Sequence, residues 1–246
     1  MRTTLYGLSL LAIAAAAAPA LAEDAPSPVT LTGGATLTSD YRFRGISQTN
    51  KRFAIQGTLG LSTTAGFYVG TWGSSIDDYV ANGSDQEIDL YGGYKKTFDG
   101  TTVDVGLLYY YYPGSGGVNS DFFEPYANIS HTFGPIGVKI GGNFSWKQHA
   151  LSYGPHTKEG GTYGYAELSA AVPNTGLTLT GHVGHSFEKN YITFGEKYSD
   201  FSVTAAYTWK NLTASVAYVD TSKNSFSSGT RNVGKAGVVG AIGVAF

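Results

Sequence analysis

From residue 31 to the C-terminus, apolar and polar residues alternate in segments of roughly ten residues. A period of two is typical of a β-strand with one apolar face and one polar face. In the first segment Leu37 and Phe43 share one face, whereas Asp40 lies on the other. In the third segment Phe67 and Tyr68 compete for the apolar face. The pattern predicts twelve strands, at residues 31–44, 52–62, 67–76, 86–98, 101–112, 121–133, 136–148, 162–172, 177–188, 198–209, 212–221 and 236–246.

The connections between these segments are alternately short and long. Asp99-Gly100 and Gly134-Pro135 are tight turns, and Asp-Gly and Gly supply the positive φ that such turns need. The longer links, at 45–51, 77–85, 113–120, 149–161, 189–197 and 222–235, are rich in Gly, Ser, Asn and Lys. This alternation is typical of outer-membrane barrels, in which the sheet closes because hydrocarbon leaves no partner for a free edge. The sequence therefore predicts an all-β fold, a 12-stranded antiparallel transmembrane β-barrel (a meander) with short periplasmic turns and longer extracellular loops.

Composition agrees with a barrel and excludes several other classes of protein. Glycine accounts for 34 of the 246 residues, and charged residues make up only 14%, against a usual share of about 7% and about 25%. The formal net charge of -2 provides no basic surface for nucleic acid. The absence of cysteine excludes disulfides, thiol nucleophiles and Cys-based zinc sites.

The N-terminus has the pattern of an export signal. Arg2 precedes an apolar core at residues 8–18, and Ala20-Leu21-Ala22 has the small-x-small pattern of a cleavage site. We therefore expect residues 1–22 to be a signal peptide and residues 23–246 to form the outer-membrane β-barrel domain. This predicts a location in the bacterial outer membrane.

Aromatic residues on the apolar face are predicted at two heights, as in the girdles of membrane barrels. An alternative is that aromatics are simply good strand formers. The outer girdle would comprise Phe43, Phe53, Tyr109, Tyr111, Phe123, Trp146, Phe187, Phe201 and Tyr218, and the inner girdle Phe67, Tyr94, Phe133, Tyr207, Trp209 and Phe246. These rings would contact outer-membrane lipids. The last strand ends on the aromatic Phe246, which resembles the signal read by the barrel-assembly machinery.

The polar faces would point into the barrel. The predicted pore-lining residues are Asp40, Arg42, Arg44, Arg52, Gln56, Glu87, Asp89, Lys95, Asp104, Glu124, Asn128, Lys139, Asn143, Lys147, Glu167, His182 and Glu188. Two interpretations stay open. Water could solvate both signs of charge along a pathway, or opposite charges could pair and plug a small barrel. In the first case, Arg42 and Arg44 would form a cationic strip that faces acidic residues at a constriction.

The residues at the end of the first predicted strand, and those that follow it, resemble a known family. Residues 39–49, SDYRFRGISQT, followed by Gln56-Gly57 and by residues 66–72, GFYVGTW, resemble the signature of the TorF family of porins of Gram-negative bacteria. The resemblance is specific over residues 35–98, and the rest agrees in length, strand rhythm and terminal Phe246. It implies an outer-membrane location and a pore function, and it implies no particular substrate.

The predicted function is a porin, a passive diffusion channel for small hydrophilic solutes or ions. The alternatives are an outer-membrane enzyme of lipase or esterase type and a plugged barrel with a structural or adhesion role. The sequence contains no G-x-S-x-G elbow, so catalysis is not expected, although an outward His185 could serve as a lipase base. No cofactor or metal is expected, since His182 and His185 would point to opposite faces of a strand.

Overall fold

The computed structural model describes residues 28–246 except 155, 224 and 230, so the predicted signal peptide at residues 1–22 lies outside the described residues. Within the described part, twelve strands form one closed sheet. They are β1 (Val29–Thr38), β2 (Ala54–Thr63), β3 (Phe67–Ser75), β4 (Gln86–Phe98), β5 (Thr101–Tyr111), β6 (Phe122–Phe133), β7 (Ile136–Gln148), β8 (Glu159–Ala171), β9 (Leu177–Ser186), β10 (Tyr198–Trp209), β11 (Leu212–Thr221) and β12 (Gly237–Ala245). Each pairs antiparallel with the next, and β12 pairs with β1. The predicted 12-stranded antiparallel barrel is confirmed.

The remaining elements are small and lie in the long loops. Loop 1 (residues 39–53) contains a hairpin of Arg42–Phe43 with Ile46–Ser47. Loop 6 (residues 222–236) contains a hairpin of Ser227–Ser228 with Arg231–Asn232. Two single 3₁₀ turns complete the elements of the described residues, at His149–Leu151 and Tyr191–Thr193. Across those same residues, we find no helix with the length and apolar content needed to cross a membrane.

The outward face of the barrel is apolar and exposed. Ile55 is 71% exposed, Val203 64% and Val238 69%, although such side chains are normally buried in a soluble domain. Phe67 and Val69 also point outward, which resolves the ambiguous face of β3. Closure of the sheet lets the backbone groups of the strands form their hydrogen bonds within the wall. The apolar side chains on the exterior suit contact with hydrocarbon.

The inward face carries tyrosine rings that lie against glycines of the neighbouring strand. Tyr91 on β4 is the cross-strand partner of Gly70 on β3, and a methyl group at Gly70 would lie 2.6 Å from the Tyr91 ring. Tyr126 lies over Gly106 on β5 in the same way, where a methyl group would overlap the Tyr126 hydroxyl. The glycines therefore let bulky rings lie flat along the wall instead of extending across the interior.

The two ends of the barrel interior differ. At the long-loop end, loops 1 and 6 fold inward and bury an apolar cluster of Ile46, Tyr198, Phe226 and Val233. At the short-turn end the inward Thr97 stays exposed. The interior is therefore filled towards the long loops and accessible towards the short turns.

The first strand is shorter than the alternation predicts. β1 ends at Thr38, so Asp40, Arg42 and Arg44 lie in loop 1 and not on a strand of the barrel wall. Arg44 has φ 47° and the next residue, Gly45, has φ 80°, which no strand adopts. The prediction that Phe43 belongs to the outer girdle is wrong, because its ring packs 6.0 Å from Tyr110 on the inner wall.

The barrel closes along a short seam between β1 and β12. The register runs from Gly34 opposite Ala245 to Thr38 opposite Ala241. The β1–β2 ladder covers all ten residues of β1, so the start of β1 extends past the end of β12. The terminal Phe246 exchanges two backbone hydrogen bonds with Gly33 and lays its ring against it.

Candidate functional site in the barrel interior

The predicted pore-lining residues divide into three groups. On the face opposite the exposed apolar side chains lie Gln56 of β2, Glu87, Asp89 and Lys95 of β4, Asp104 of β5, Glu124 and Asn128 of β6, Lys139, Asn143 and Lys147 of β7, Glu167 of β8 and His182 of β9. Lys147 is exposed at the long-loop end. Asp40, Arg42 and Arg44 reach the interior from loop 1, where their side chains are almost fully buried. Arg52 and Glu188 are the exceptions. Arg52 forms an exposed ion pair with Asp77 in the loops, and Glu188 lies in the loop after β9, where its carboxylate accepts a hydrogen bond from the amide of Thr162.

Arg44 and Glu124 form the central contact between loop 1 and the barrel wall. The Arg44 Nη2 donates to both carboxylate oxygens of Glu124, at 2.7 and 2.8 Å, and the guanidinium lies over the ring of Tyr163 on β8. Burial disfavours the charge of Arg44, but the facing Glu124 carboxylate outweighs burial and raises the pKa of Arg44 above its usual value. Arg44 therefore stays charged, and its contact with Glu124 fixes the tip of loop 1 inside the barrel.

Arg42 joins loop 1 to loop 6. Its Nε donates to Asp40 at 2.6 Å, and its Nη1 donates to the carbonyl oxygens of Gly45, Val233 and Lys235. These partners all belong to loops 1 and 6. Arg42 therefore braces the two loops against each other, and its charge is neutralised within them.

A second network crosses β7 to β10. Lys139 lies 3.6 Å from Glu167, which accepts from the Nδ1 side of His182 at 3.3 Å. The Nε2 of His182 lies 3.1 Å from Asp200 on β10, and Tyr163 donates to the same carboxylate at 2.8 Å. The sequence reasoning did not single out Asp200, although its position next to the outward Phe201 is the signal that would have found it. Acidic and basic groups alternate here, so the network is internally balanced.

Among the described residues, neither Glu87 nor Asp89 on β4 forms an ion pair. Glu87 accepts a hydrogen bond from Tyr41 of loop 1 at 2.8 Å, and burial together with the Glu87 charge raises the pKa of Tyr41 well above its usual value. Asp89 is 0% exposed, and neither of its carboxylate oxygens has a hydrogen-bond partner in the described structure. Its cross-strand neighbours are Trp72 on β3 and Tyr110 on β5. Neither carboxylate has a basic partner among the described residues, and Asp89 also lacks any hydrogen bond there.

The sequence matches a family described as bacterial protein of unknown function, Gcw_chp, over residues 22–246. The chain belongs to this family. No curated protein is significantly similar to it in sequence. Solved structures are therefore the remaining source of comparison for this Gcw_chp member.

Two solved structures share this fold at low sequence identity. One is the NanC porin, with a TM-score of 0.59, 12% identity, and coverage of 88% of this chain and 99% of that one. The other is the COG4313 outer membrane channel from Pseudomonas putida F1, with a TM-score of 0.52, 12% identity, and coverage of 90% and 98%. The Gcw_chp chain therefore has the fold of an outer-membrane barrel. With its exposed apolar belt, this fold places it in the bacterial outer membrane, with short turns periplasmic and long loops external.

Several aromatic side chains cluster on the outward face near the external loops. The rings of Tyr109 and Phe123 lie 4.5 Å apart, and Phe123 stacks on Trp146 at 5.8 Å. Exposed positions elsewhere on this face are Phe53, Tyr111, Phe187, Phe201 and Tyr218 at the external end, and Phe67, Phe133, Tyr207, Trp209 and Phe246 at the periplasmic end.

One contact on the outward face joins a histidine and a serine, two side chains that can act in catalysis. The Nδ1 of His185 on β9 lies 2.9 Å from the Oγ of Ser199 on β10. His182 belongs to the interior network instead, so the two histidines point to opposite faces as their spacing predicts. Among the described residues, no three His, Asp or Glu side chains converge as a metal site.

Proposed function

We propose that the chain is a channel for the passive diffusion of small hydrophilic solutes or ions across the outer membrane. The observation that carries this proposal is the inversion of polarity: the exterior is apolar, while charged and polar side chains occupy the interior at every height. Such an interior suits a hydrated pathway, since buried charges need water or partners. The resemblance to the TorF family of porins agrees with this function.

The narrowest part of the pathway would lie where loop 1 crosses the barrel. Arg44 reaches from the loop to Glu124 on the wall, so a solute that moves between the external medium and the periplasmic half must pass this pair. Paired charges of opposite sign at a constriction orient polar solutes without binding them irreversibly. This retains the predicted role of Arg44 and gives Arg42 the task of holding the loops in place.

Conductance in planar bilayers tests the proposal directly. We expect the purified, refolded barrel to form ion-conducting pores and to make liposomes swell in small sugars and amino acids. The Arg42→Ala/Arg44→Ala variant should change the reversal potential, whereas Arg52→Ala, which removes an exposed arginine outside the interior, should not. The absence of any conductance would contradict the channel and favour a plugged structural or adhesion barrel.

A second candidate is a lipid-facing hydrolase, which the His185–Ser199 contact favours. A histidine within hydrogen-bond reach of a serine is the arrangement of a nucleophile with its base. This candidate predicts cleavage of p-nitrophenyl esters in mixed micelles that is lost in Ser199→Ala. The channel proposal predicts no cleavage and an unchanged conductance in that variant.

We also propose two partners for the outer surface. Outer-membrane lipids would contact the apolar belt and its aromatic rings. The barrel-assembly machinery would bind the last strand through Phe246, whose ring lies exposed at the seam. Truncation of Phe246 should then slow membrane insertion in cells more than folding in detergent.

A further inference from the structure

Two carboxylates on one strand of the interior wall lack basic partners. Glu124 is satisfied by Arg44, Tyr110 and Asn143. Asp89 is fully buried with both oxygens unbonded, and among the described contacts Glu87 is hydrogen-bonded by neutral hydroxyls, those of Tyr41 and Tyr112. A buried carboxylate without a partner is costly. The folded chain therefore leaves a negative site that a ligand from outside the chain can complete.

Aromatic rings surround this site. Trp72 and Tyr110 stand directly opposite Asp89 on the two flanking strands, which brings their side chains beside it on the inward face. The ring of Tyr41 lies 5.3 Å from Trp72 and closes the site from loop 1. Carboxylates attract a positive charge, and the faces of Trp and Tyr attract an ammonium group through its charge and hold its alkyl part by apolar contact. This combination suits an organic cation better than a hydrated metal ion.

We propose that Asp89, together with Glu87, Trp72 and Tyr110, is a binding site for small organic cations such as protonated amines. The site lies beneath loop 1 in the long-loop half of the interior, where Asp89 is fully buried, so a cation reaches it when loop 1 shifts from the wall, and its role in permeation rests on the proposed channel function. An ammonium group would donate to the two free oxygens of Asp89, while its alkyl part would contact Trp72. The site makes the channel cation-preferring, because it adds negative charge to an interior in which Arg44 already faces Glu124 and Lys139 already faces Glu167.

Two measurements test the site independently. The first is isothermal titration of the detergent-solubilised full barrel with ethylammonium chloride, which requires no conductance. The second is the reversal potential in potassium chloride and ethylammonium chloride gradients. The test variant is Asp89→Asn, which keeps the shape and removes the charge. The matched control is Asp99→Asn, the same change at an exposed periplasmic turn, where Asn tolerates the positive φ.

We expect ethylammonium to bind the original chain and Asp99→Asn. Asp89→Asn should bind about fivefold more weakly and lose cation preference by a similar factor, which corresponds to one unit charge at contact distance in water. Glu87→Gln, which keeps the bond from Tyr41, should show a smaller loss and serves if Asp89→Asn fails to fold. Binding without conductance would refute the channel and leave the site standing. Equal binding and equal selectivity in Asp89→Asn would overturn the site, since Asp89 would then hold only a proton.

Discussion

Replacement of Arg44 by methionine should release loop 1 from the barrel wall. The variant keeps the length of the side chain and removes two hydrogen bonds to Glu124 and the stacking of the guanidinium on Phe43 and Tyr163. Side-chain exposure is 8% for Arg44 and 2% for Glu124, so the carboxylate is left buried without its counter-charge. Removal of one partner of a buried ion pair costs about 3–5 kcal/mol.

Hydrogen exchange followed by mass spectrometry on the full barrel in micelles measures this loss. The amide of Ser47 donates to Val233 of loop 6, and that of Gln48 donates to Tyr41 within loop 1. The first reports on the packing of loop 1 against loop 6, and the second on the internal fold of loop 1. Because tenfold corresponds to about 1.4 kcal/mol, loop 1 amides should exchange roughly a hundredfold faster or more. Amides of the β8–β9 ladder should be unaffected.

The matched control is the double variant Arg44→Met/Glu124→Gln, in which no uncompensated charge remains. Its loop 1 exchange should lie between that of the original chain and that of Arg44→Met. Unchanged exchange in Arg44→Met would refute the reasoning, because the ion pair would then contribute nothing to docking. A double variant that exchanges as fast as the single one would show that lost packing, and not the buried charge, dominates.

Three further variants test the wall and its surroundings. Gly93→Ala would place a methyl group 2.5 Å from the Tyr68 hydroxyl, so the heat-modified gel shift should reveal a loss of about 1–3 kcal/mol, whereas Gly181→Ala, with no described atom within 4 Å, should be neutral. Val203→Arg on the lipid face should destabilise refolding in vesicles by about 2–4 kcal/mol, and equal stability there would contradict the lipid contact. Arg52→Ala, whose side chain is 64% exposed, should cost less than about 1 kcal/mol in urea titration, and a larger loss would contradict its placement outside the interior.

The strands were predictable because their signal is local. Alternation identifies the lipid-facing residues wherever one face of a strand contacts lipid and the other faces the polar interior, as for Ile55 and Gln56 on β2. The same rule failed at the end of the first segment. From Asp40 to Arg44 the alternation continues, but loop 1 is enclosed by protein on both sides, so an apolar Phe43 and a charged Arg44 can both point inward.

The interior contacts were less predictable because they join distant parts of the chain. Arg44 and Glu124 are separated by 80 residues, and no local pattern pairs them. The sequence identified most of the interior charges, yet it did not separate those with partners from Asp89, which has none among the described residues. That distinction depends on which loop folds over which strand.

Because β1 and β12 pair over a short register, the strength of strand pairing is uneven around the barrel. Fewer residues are paired along this seam than between any two consecutive strands of the barrel, so thermal unzipping should start there and proceed through β1 while the central hairpins persist. A circular permutation that joins the old ends and cuts the turn after Phe133 would move the weak line to the opposite side. Such a permuted barrel would separate the strength of closure from the identity of the last strand.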